Sequence, residues 1–185
     1  MLGYVASRWA VLAESGRVGE RETPFLREAV AQLQARAARV KEEEGLVPLV
    51  VHGALEPGNV LFGLGGEAVA VVDWADSAQF VRAYDVAHAL LKFAGRRSDA
   101  VLPGQVGSSL HRRGVERFAE AYREEVRLTL AERALLPWLM LAQRIVDALW
   151  VDERLSLDHR RELELAEGLW AWLQENAAFL DAAFA

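Results

Sequence analysis

Cysteine is absent from all 185 residues of this chain. Its absence excludes a disulfide framework, a thiolate metal site and a cysteine nucleophile, and it favours a reducing compartment, so we expect a cytoplasmic protein. Long apolar runs are also lacking, because the most apolar stretch, residues 135–150, contains Arg144 and Asp147. We therefore expect no membrane partner. A signal peptide is not expected either, since Arg8 interrupts the apolar residues that follow the first methionine.

Basic charge is scarce. The chain has 21 Lys and Arg residues against 27 Asp and Glu residues, a net charge of −6, and its only lysines are Lys41 and Lys92. Proteins that bind nucleic acid need a clustered basic surface, so we expect no nucleic-acid partner. Hydrophobic residues make up 52% of the chain, which is typical of a folded protein. The length suits one domain, and we predict a single domain over residues 1–185.

Apolar residues recur at three- and four-residue steps through most of the chain, which predicts amphipathic helices. Thr23 followed by Pro24 marks the start of one helix, and Thr129 with Glu132 has the spacing of a capping box that opens another. Pro137 is expected to interrupt or restart that second helix. The predicted helices span residues 4–14, 23–40, 84–93, 109–126, 129–151 and 158–180.

Extended patterns are few. Residues 47–51 form a short apolar run, which predicts a buried strand. Two further apolar runs flank the glycine-rich segment 63–66, which predicts a β-hairpin. A phosphate-binding loop is the less favoured interpretation of these glycines, because no helix begins directly after them. We therefore predict an α+β fold, mostly α, with one β-hairpin around residues 59–73.

Three short segments lie in register around the predicted hairpin. They are His52-Gly53-Ala54-Leu55-Glu56-Pro57-Gly58-Asn59, then Asp73-Trp74, then Tyr84-Asp85-Val86-Ala87. They resemble the catalytic loop H-G-D-x-x-P-x-N, the metal-binding D-[FWY] pair and the Y-D-L-A segment of the aminoglycoside phosphotransferase, choline kinase and homoserine kinase superfamily. The resemblance implies the helical C-terminal lobe of a protein-kinase-like fold, in a family that transfers phosphate from ATP to an alcohol.

The resemblance also implies a role for each matching residue. Asn59 and Asp73 would hold Mg²⁺, while His52 and Asp85 would support the loop. The family's catalytic aspartate, which receives the proton of the substrate hydroxyl, is replaced here by Ala54. General-base assistance contributes about 10²- to 10⁴-fold to a rate, so no catalytic residue is intact and the chain is expected to be inactive alone.

Other polar residues near the loop allow two interpretations each. Glu56 is a weak candidate for a displaced base, and an exposed loop carboxylate is the favoured interpretation. Asp76 could lie on the substrate side of the site or be a solvated loop residue. The four histidines are not spaced as zinc ligands, and the tryptophans at helical positions are predicted to pack in the core.

The family's nucleotide lobe has no counterpart in this sequence. The 51 residues before His52 are predicted to form two helices and one strand, with no Gly-rich phosphate loop and no strand lysine. We therefore do not expect this chain alone to bind ATP. Without that lobe, apolar surface near the hairpin needs a cover, which a homodimer, a separate N-lobe-like partner or the helix over residues 4–14 would supply.

Three functions remain open at this point. The chain could be a non-catalytic phosphotransferase lobe that binds a metal, a small ligand or a partner. It could be a genuine hydroxyl kinase whose nucleotide lobe lies on another chain, with Glu56 or the substrate itself as the base. It could also be a purely structural or interaction protein whose loop resembles the family by descent.

Overall fold

The computed structural model describes residues 23–40, 45–46, 48–96, 107–155 and 160–185. Within these ranges the chain forms six α-helices and four short strands. The helices are α1 (Thr23–Val40), α2 (Ala83–Ala94), α3 (Arg112–Glu125), α4 (Leu130–Leu155), α5 (Arg160–Glu175) and α6 (Ala177–Phe184). The strands are β1 (Pro48–Val51), β2 (Val60–Phe62), β3 (Ala68–Val71) and β4 (Ala78–Val81). The predicted α+β, mostly α fold is confirmed, whereas the predicted helix over residues 4–14 lies outside the described residues.

Helix α4 is the centre of the helical core. It packs against α2 on one side and α5 on the other, and Leu135, Leu136, Leu139 and Met140 are fully buried. Helix α1 contributes a second apolar cluster that also packs on α4. Its buried side chains Leu26, Val30 and Leu33 lie at the predicted three- and four-residue steps, and they share this cluster with Leu141 and Ile145 of α4.

A reciprocal capping box opens α4, as predicted. The backbone N–H of Thr129 donates to Glu132 Oε2 at 2.9 Å, and the N–H of Glu132 donates to Thr129 Oγ1 at 3.1 Å. The buried Glu132 carboxylate also accepts two hydrogen bonds from Arg82, at 2.8 and 2.7 Å. Because Arg82 directly precedes α2, this one carboxylate fixes the starts of α2 and α4 relative to each other.

A buried ion pair joins α4 to α5. Arg144 Nη2 lies 2.6 Å from Glu162 Oε2, and the two side chains are 0% and 1% exposed. Both residues stand among apolar neighbours on their helices, so the pair is one of the few charged contacts inside the core.

Two predicted helix boundaries were wrong. Pro137 neither interrupts nor restarts its helix, because α4 runs unbroken from Leu130 to Leu155. Proline removes one backbone donor, and the fully buried residues on either side of it hold the helix together. The single helix predicted over residues 158–180 is instead two helices separated by Asn176. Asn176 has non-helical dihedral angles, with φ of −109° and ψ of 15°, and its side chain donates to the carbonyl of Trp172 at 2.8 Å.

The strands form two antiparallel pairs. β2 and β3 form the predicted hairpin, with Val60 opposite Val71. β1 pairs with β4, with Pro48 opposite Val81, and β4 is not among the extended segments that the sequence predicts. The prediction that the strand before the loop is buried was also wrong, since only Val51 is buried.

Apolar side chains are exposed across the β region. In the described part of the chain, Val50 is 72% exposed, Phe62 56% and Val69 60%. Single exposed apolar residues are normal on a folded protein, but these side chains lie together in one region of the chain. A homodimer or a separate lobe-like partner that covers this surface stays a prediction.

Candidate functional site around the His52 loop

One carboxylate anchors the loop that follows β1. Asp85, in the first turn of α2, accepts hydrogen bonds from the backbone N–H of His52 at 2.7 Å and of Gly53 at 3.0 Å. Hydrogen bonds to an ionised acceptor are stronger than neutral ones, and an acidic residue is favourable at a helix N-terminus. Asp85 therefore holds the start of the loop against the start of α2.

The ring of His52 ties the loop to the end of the hairpin. Its Nδ1 accepts a hydrogen bond from the N–H of Ala54 at 3.2 Å, and its Nε2 lies 2.9 Å from the carbonyl oxygen of Val72. Because Nδ1 accepts, the proton of the neutral ring is on Nε2, which donates to Val72. His52 is buried and packs against the Trp74 ring, 4.7 Å away. Both nitrogens are thus occupied in holding the loop, and neither is available as a base.

The two candidate metal ligands are brought to the same end of the hairpin. Asn59 closes a short 3₁₀ turn, its side-chain Nδ2 donates to the carbonyl of Ala54 at 2.9 Å, and its own carbonyl accepts the N–H of Val72 at 2.9 Å. Asp73 follows Val72 directly, in a left-handed conformation with φ of 64°. This conformation is uncommon outside glycine, although aspartate tolerates it better than most residues. Asp73 is exposed, and its carboxylate makes no hydrogen bond or ion pair with another described residue.

Gly53 allows the loop to approach the segment after the hairpin. Its φ is +88°, and a Cβ at this position would stand 2.2 Å from the carbonyl oxygen of Asp76. A residue with a side chain cannot occupy that space without moving the backbone. Asp76, whose side chain is exposed, lines the same cavity as Gly53 and Ala54.

A cavity of about 520 Å³ opens beside Ala54. It is bounded by the loop, by Asp76, by one face of α2 and by one face of α4. Its volume is that of a small-molecule site. Its lining combines apolar residues with polar ones: Gly53, Ala54, Asp76, Tyr84, His88, Leu91, Lys92, Gln143, Val146 and Asp147.

The polar residues of α2 and α4 in this cavity were not predicted as site residues. His88 and Lys92 stand four residues apart on α2, and Gln143 and Asp147 stand four apart on α4, so each pair shares a helix face. Polar residues at this spacing on otherwise apolar helices are a feature of the sequence from which each polar face could have been predicted. The packing of α2 on α4, which brings the two faces together, could not be predicted from the sequence.

Glu56 does not line the cavity. Its half-exposed carboxylate lies 3.8 Å from Lys92 Nζ, which also lies 3.4 Å from Asp147. The Glu56 carboxylate is thus paired with a cation that lines the cavity, although Glu56 itself is not among the lining residues. The pairing and this position count against Glu56 as the base.

His88 is a neutral histidine beside this cavity. Burial, and secondarily the nearby charge of Lys92, lower the pKa of His88 to about 4 from an ordinary value of 6.5. Tyr84, one helical turn before it, has its pKa raised, chiefly by burial. At neutral pH His88 therefore offers one N–H donor and one acceptor nitrogen.

A larger groove of about 620 Å³ lies elsewhere, between α1, α4, α5 and α6. Trp138 and Trp170 form part of its wall, with ring centroids 4.7 Å apart. Its charged residues, Arg133 and Asp181, are paired with each other at 2.9 Å. The loop cavity is the better candidate for chemistry, because it adjoins Ala54 and carries several polar groups.

Two classes of feature are not found in the described part of the chain. No three His, Cys, Asp or Glu side chains there are grouped so that they could hold a metal ion. No helix there has the length and apolar character needed to cross a membrane.

Gly53→Ala should destabilise the fold far more than Gly66→Ala. Both glycines have positive φ, but a Cβ at Gly66 would meet nothing within 4 Å. The control should lose about 1–2 kcal/mol, the cost of a left-handed non-glycine residue. Gly53→Ala should lose about 3 kcal/mol or more, as severe steric changes do. Urea denaturation of the two variants measures the difference, and equal losses would show that the close approach to Asp76 is not a constraint.

Acidification should destabilise the chain through His88. The unfolded chain binds a proton at this residue below about pH 6.5, whereas the folded chain binds it only near pH 4. The stability that neutral His88 contributes to the folded chain is therefore fully present above pH 6.5, and it is lost as the pH falls towards 4. We expect about 2 kcal/mol less stability at pH 5 than at pH 7. In urea denaturation at both pH values, His88→Leu should lose less stability between them, and an identical loss in both proteins would contradict the assignment.

Comparison with known proteins agrees with this geometry. A family model described as the phosphotransferase enzyme family, APH, matches residues 5–121, more than half of the chain. No curated protein matches the chain. The matched range contains the loop, the hairpin and Asp85, and so it includes all the hydrogen bonds that hold the loop. This chain belongs to the phosphotransferase enzyme family.

Proposed function

We propose that this chain is a phosphotransferase-family lobe that binds a small hydroxyl compound beside Ala54 and does not phosphorylate it alone. The observation that supports the proposal is a loop whose supporting hydrogen bonds are complete while its base position carries a methyl group. Asp85, His52 and Asn59 all hold the loop backbone. Ala54 lines the cavity but has no group that accepts a proton.

Catalysis also requires the phosphates of the nucleotide to be held. In the described part of the chain before His52, α1 is a helix and β1 is a four-residue strand, and neither offers a Gly-rich phosphate loop or a lysine. Positioning and charge neutralisation of the phosphates provide most of the catalysis in phosphoryl transfer. We therefore propose that this chain is a pseudokinase when it is alone, with any nucleotide lobe contributed by another chain.

A weak magnesium site is the second part of the proposal. The hydrogen bond from Asn59 Nδ2 to Ala54 leaves Asn59 Oδ1 available as a ligand, and the Asp73 carboxylate is exposed. Oxygen ligands of this kind suit Mg²⁺, so the residues present fit the ion, which in a complete kinase bridges the nucleotide phosphates. Two protein ligands leave most of an octahedral shell to water, which predicts poor affinity.

The kinase alternative with Glu56 as the base has less support. Glu56 is not among the residues that line the cavity, and its carboxylate is paired with Lys92 at 3.8 Å. A base must reach the substrate hydroxyl within hydrogen-bond distance, directly or through one water.

The chain alone should not phosphorylate homoserine, choline or aminoglycosides with ATP and Mg²⁺. Ala54→Asp should not restore activity, because the carboxylate alone does not position the phosphates. Ala54→Asn is the control of equal size without charge. Formation of ADP is measured against a heat-killed sample. Turnover by the wild type would refute the proposal, and turnover by Ala54→Asp but not by Ala54→Asn would show that the phosphates are held after all.

Metal binding should depend on Asp73 and not on its neighbour Asp76. We expect Mn²⁺ to bind the wild-type chain weakly, with a dissociation constant of about 1 mM, by analogy with sites that have few protein ligands. Asp73→Asn should remove this binding, while Asp76→Asn, an equal loss of charge on an exposed residue three positions later, should leave it. Electron paramagnetic resonance of free Mn²⁺ measures both. Equal binding by the two variants would argue against a site at Asp73.

A further inference from the structure

The groove between α1, α4, α5 and α6 is separate from the loop cavity. The two share none of the described lining residues, and the volume of the groove, about 620 Å³, is that of a small-molecule site. Each of the four helices contributes to its wall, with Gln32 from α1, Pro137 and Trp138 from α4, Trp170 from α5 and Ala178 from α6. Because the wall belongs to helices that pack on one another, the groove is a fixed part of the fold.

Two tryptophans form the aromatic part of this wall. The ring centroids of Trp138 and Trp170 lie 4.7 Å apart, and the ring planes are inclined by 49°. Both side chains pack partly against the apolar core and stay partly exposed. Aromatic side chains bury large apolar surfaces, and they bind other rings in offset or edge-to-face arrangements. The wall therefore suits a flat aromatic compound that contacts both indole rings.

A backbone acceptor lies beside the aromatic wall. Pro137 stands inside α4 and has no N–H, so the carbonyl oxygen of Arg133, four residues earlier, lacks the hydrogen bond that continues the helix. No group outside α4 in the described part of the chain donates to this oxygen. Arg133 and Pro137 both line the groove, and residues one helical turn apart share a helix face. The acceptor is therefore on the groove side of α4.

The charged groups of the groove neutralise each other. Among the described residues that line it, the only charged ones are Arg133 and Asp181, whose side chains lie 2.9 Å apart. Arg36 and Arg39 line only a smaller hollow beside the groove. A carboxylate or an ammonium on a ligand would thus leave water without gaining an uncommitted partner in the groove, which is unfavourable. The groove therefore favours an uncharged compound.

We propose that this groove is a second ligand site, which binds an uncharged, flat aromatic compound that carries a hydrogen-bond donor. The rings of Trp138 and Trp170 contact the aromatic system of the compound. The carbonyl of Arg133 accepts the N–H or O–H group of the compound in place of the helical N–H that Pro137 lacks. The inference does not rest on the function proposed for the loop cavity, because the two sites share none of their described lining residues.

Titration of the isotope-labelled chain with indole, followed by nuclear magnetic resonance, tests the proposal. The side-chain N–H resonances of the six tryptophans report on each ring separately, and those of Trp138 and Trp170 should shift while that of Trp172 should not. N-methylindole lacks the donor and should bind about fivefold more weakly, as expected for the loss of one hydrogen bond. Cyclohexanol, which has a donor but no aromatic ring, and indole-3-carboxylate, which adds a charge, should each bind about tenfold more weakly than indole.

Two variants and a matched control separate the backbone acceptor from the aromatic wall. Pro137→Ala restores an N–H to α4, so the carbonyl of Arg133 is used within the helix and the preference for indole over N-methylindole should disappear. Ala178→Leu adds a larger side chain to the groove wall and should weaken binding of both compounds about tenfold or more. Ala182→Leu is the control, because Ala182 is also exposed on α6 but does not line the groove, and it should retain binding.

Several results would overturn the proposal. They are unchanged Trp138 and Trp170 resonances with indole, binding of N-methylindole, cyclohexanol or the carboxylate as tight as that of indole, and an unchanged preference in Pro137→Ala. Shifts of the same two resonances when the free chain is diluted would also refute it, because they would place a second copy of the chain in the groove. The titrations contain no nucleotide and no metal, so their failure leaves the proposed function untouched, and turnover in the kinase assay leaves this site untouched.

Discussion

The carboxylate of Asp85 is the contact on which the geometry of the site depends. It receives the backbone N–H groups of His52 and Gly53 and so joins the end of β1 to the beginning of α2. The ring of His52 then extends the connection to Val72, and Asn59 extends it to Ala54. The loop is therefore positioned by three side chains that bind backbone groups, that of Asp85 from α2 and those of His52 and Asn59 from the loop itself.

Because other side chains hold the loop, the side chain at the base position can change without a change in the structure of the loop. Ala54 contributes its backbone N–H and carbonyl to the hydrogen bonds that hold the loop, and every residue except proline supplies both groups. Gly53 is different, because its conformation and its approach to Asp76 exclude a side chain. The fold therefore constrains which residue can stand at Gly53, whereas only the chemistry of the site constrains the side chain at Ala54.

The sequence predicted local features well because local features have local causes. The capping box of Thr129 and Glu132, the hairpin with its glycines and the loop motif each depend on residues a few positions apart. β4 was missed because its pairing with β1 joins residues about thirty positions apart, and its own run of four residues is too short to stand out. Asn176 was missed because a change of backbone dihedral angles at one residue divides two helices that share an apolar pattern.

The site was predicted only in part, for the same reason. His52, Asn59, Asp73 and Asp85 came from a motif, whereas the cavity beside Ala54 exists because α2 packs on α4. Nothing in the spacing of His88 relative to Gln143 reveals that they face one space. The whole of α3 lies between them in the sequence, and only the packing of α2 on α4 brings them together.

The ion pair between Arg144 and Glu162 limits how this family member can change over time. Loss of either partner alone leaves a buried charge, which typically destabilises a protein by about 3–5 kcal/mol, whereas replacement of both by apolar residues is often neutral or favourable. The two positions are therefore separated from an apolar solution by an unstable intermediate. A single substitution that removes either charge is therefore disfavoured, and replacement of both residues by apolar ones avoids the buried unpaired charge.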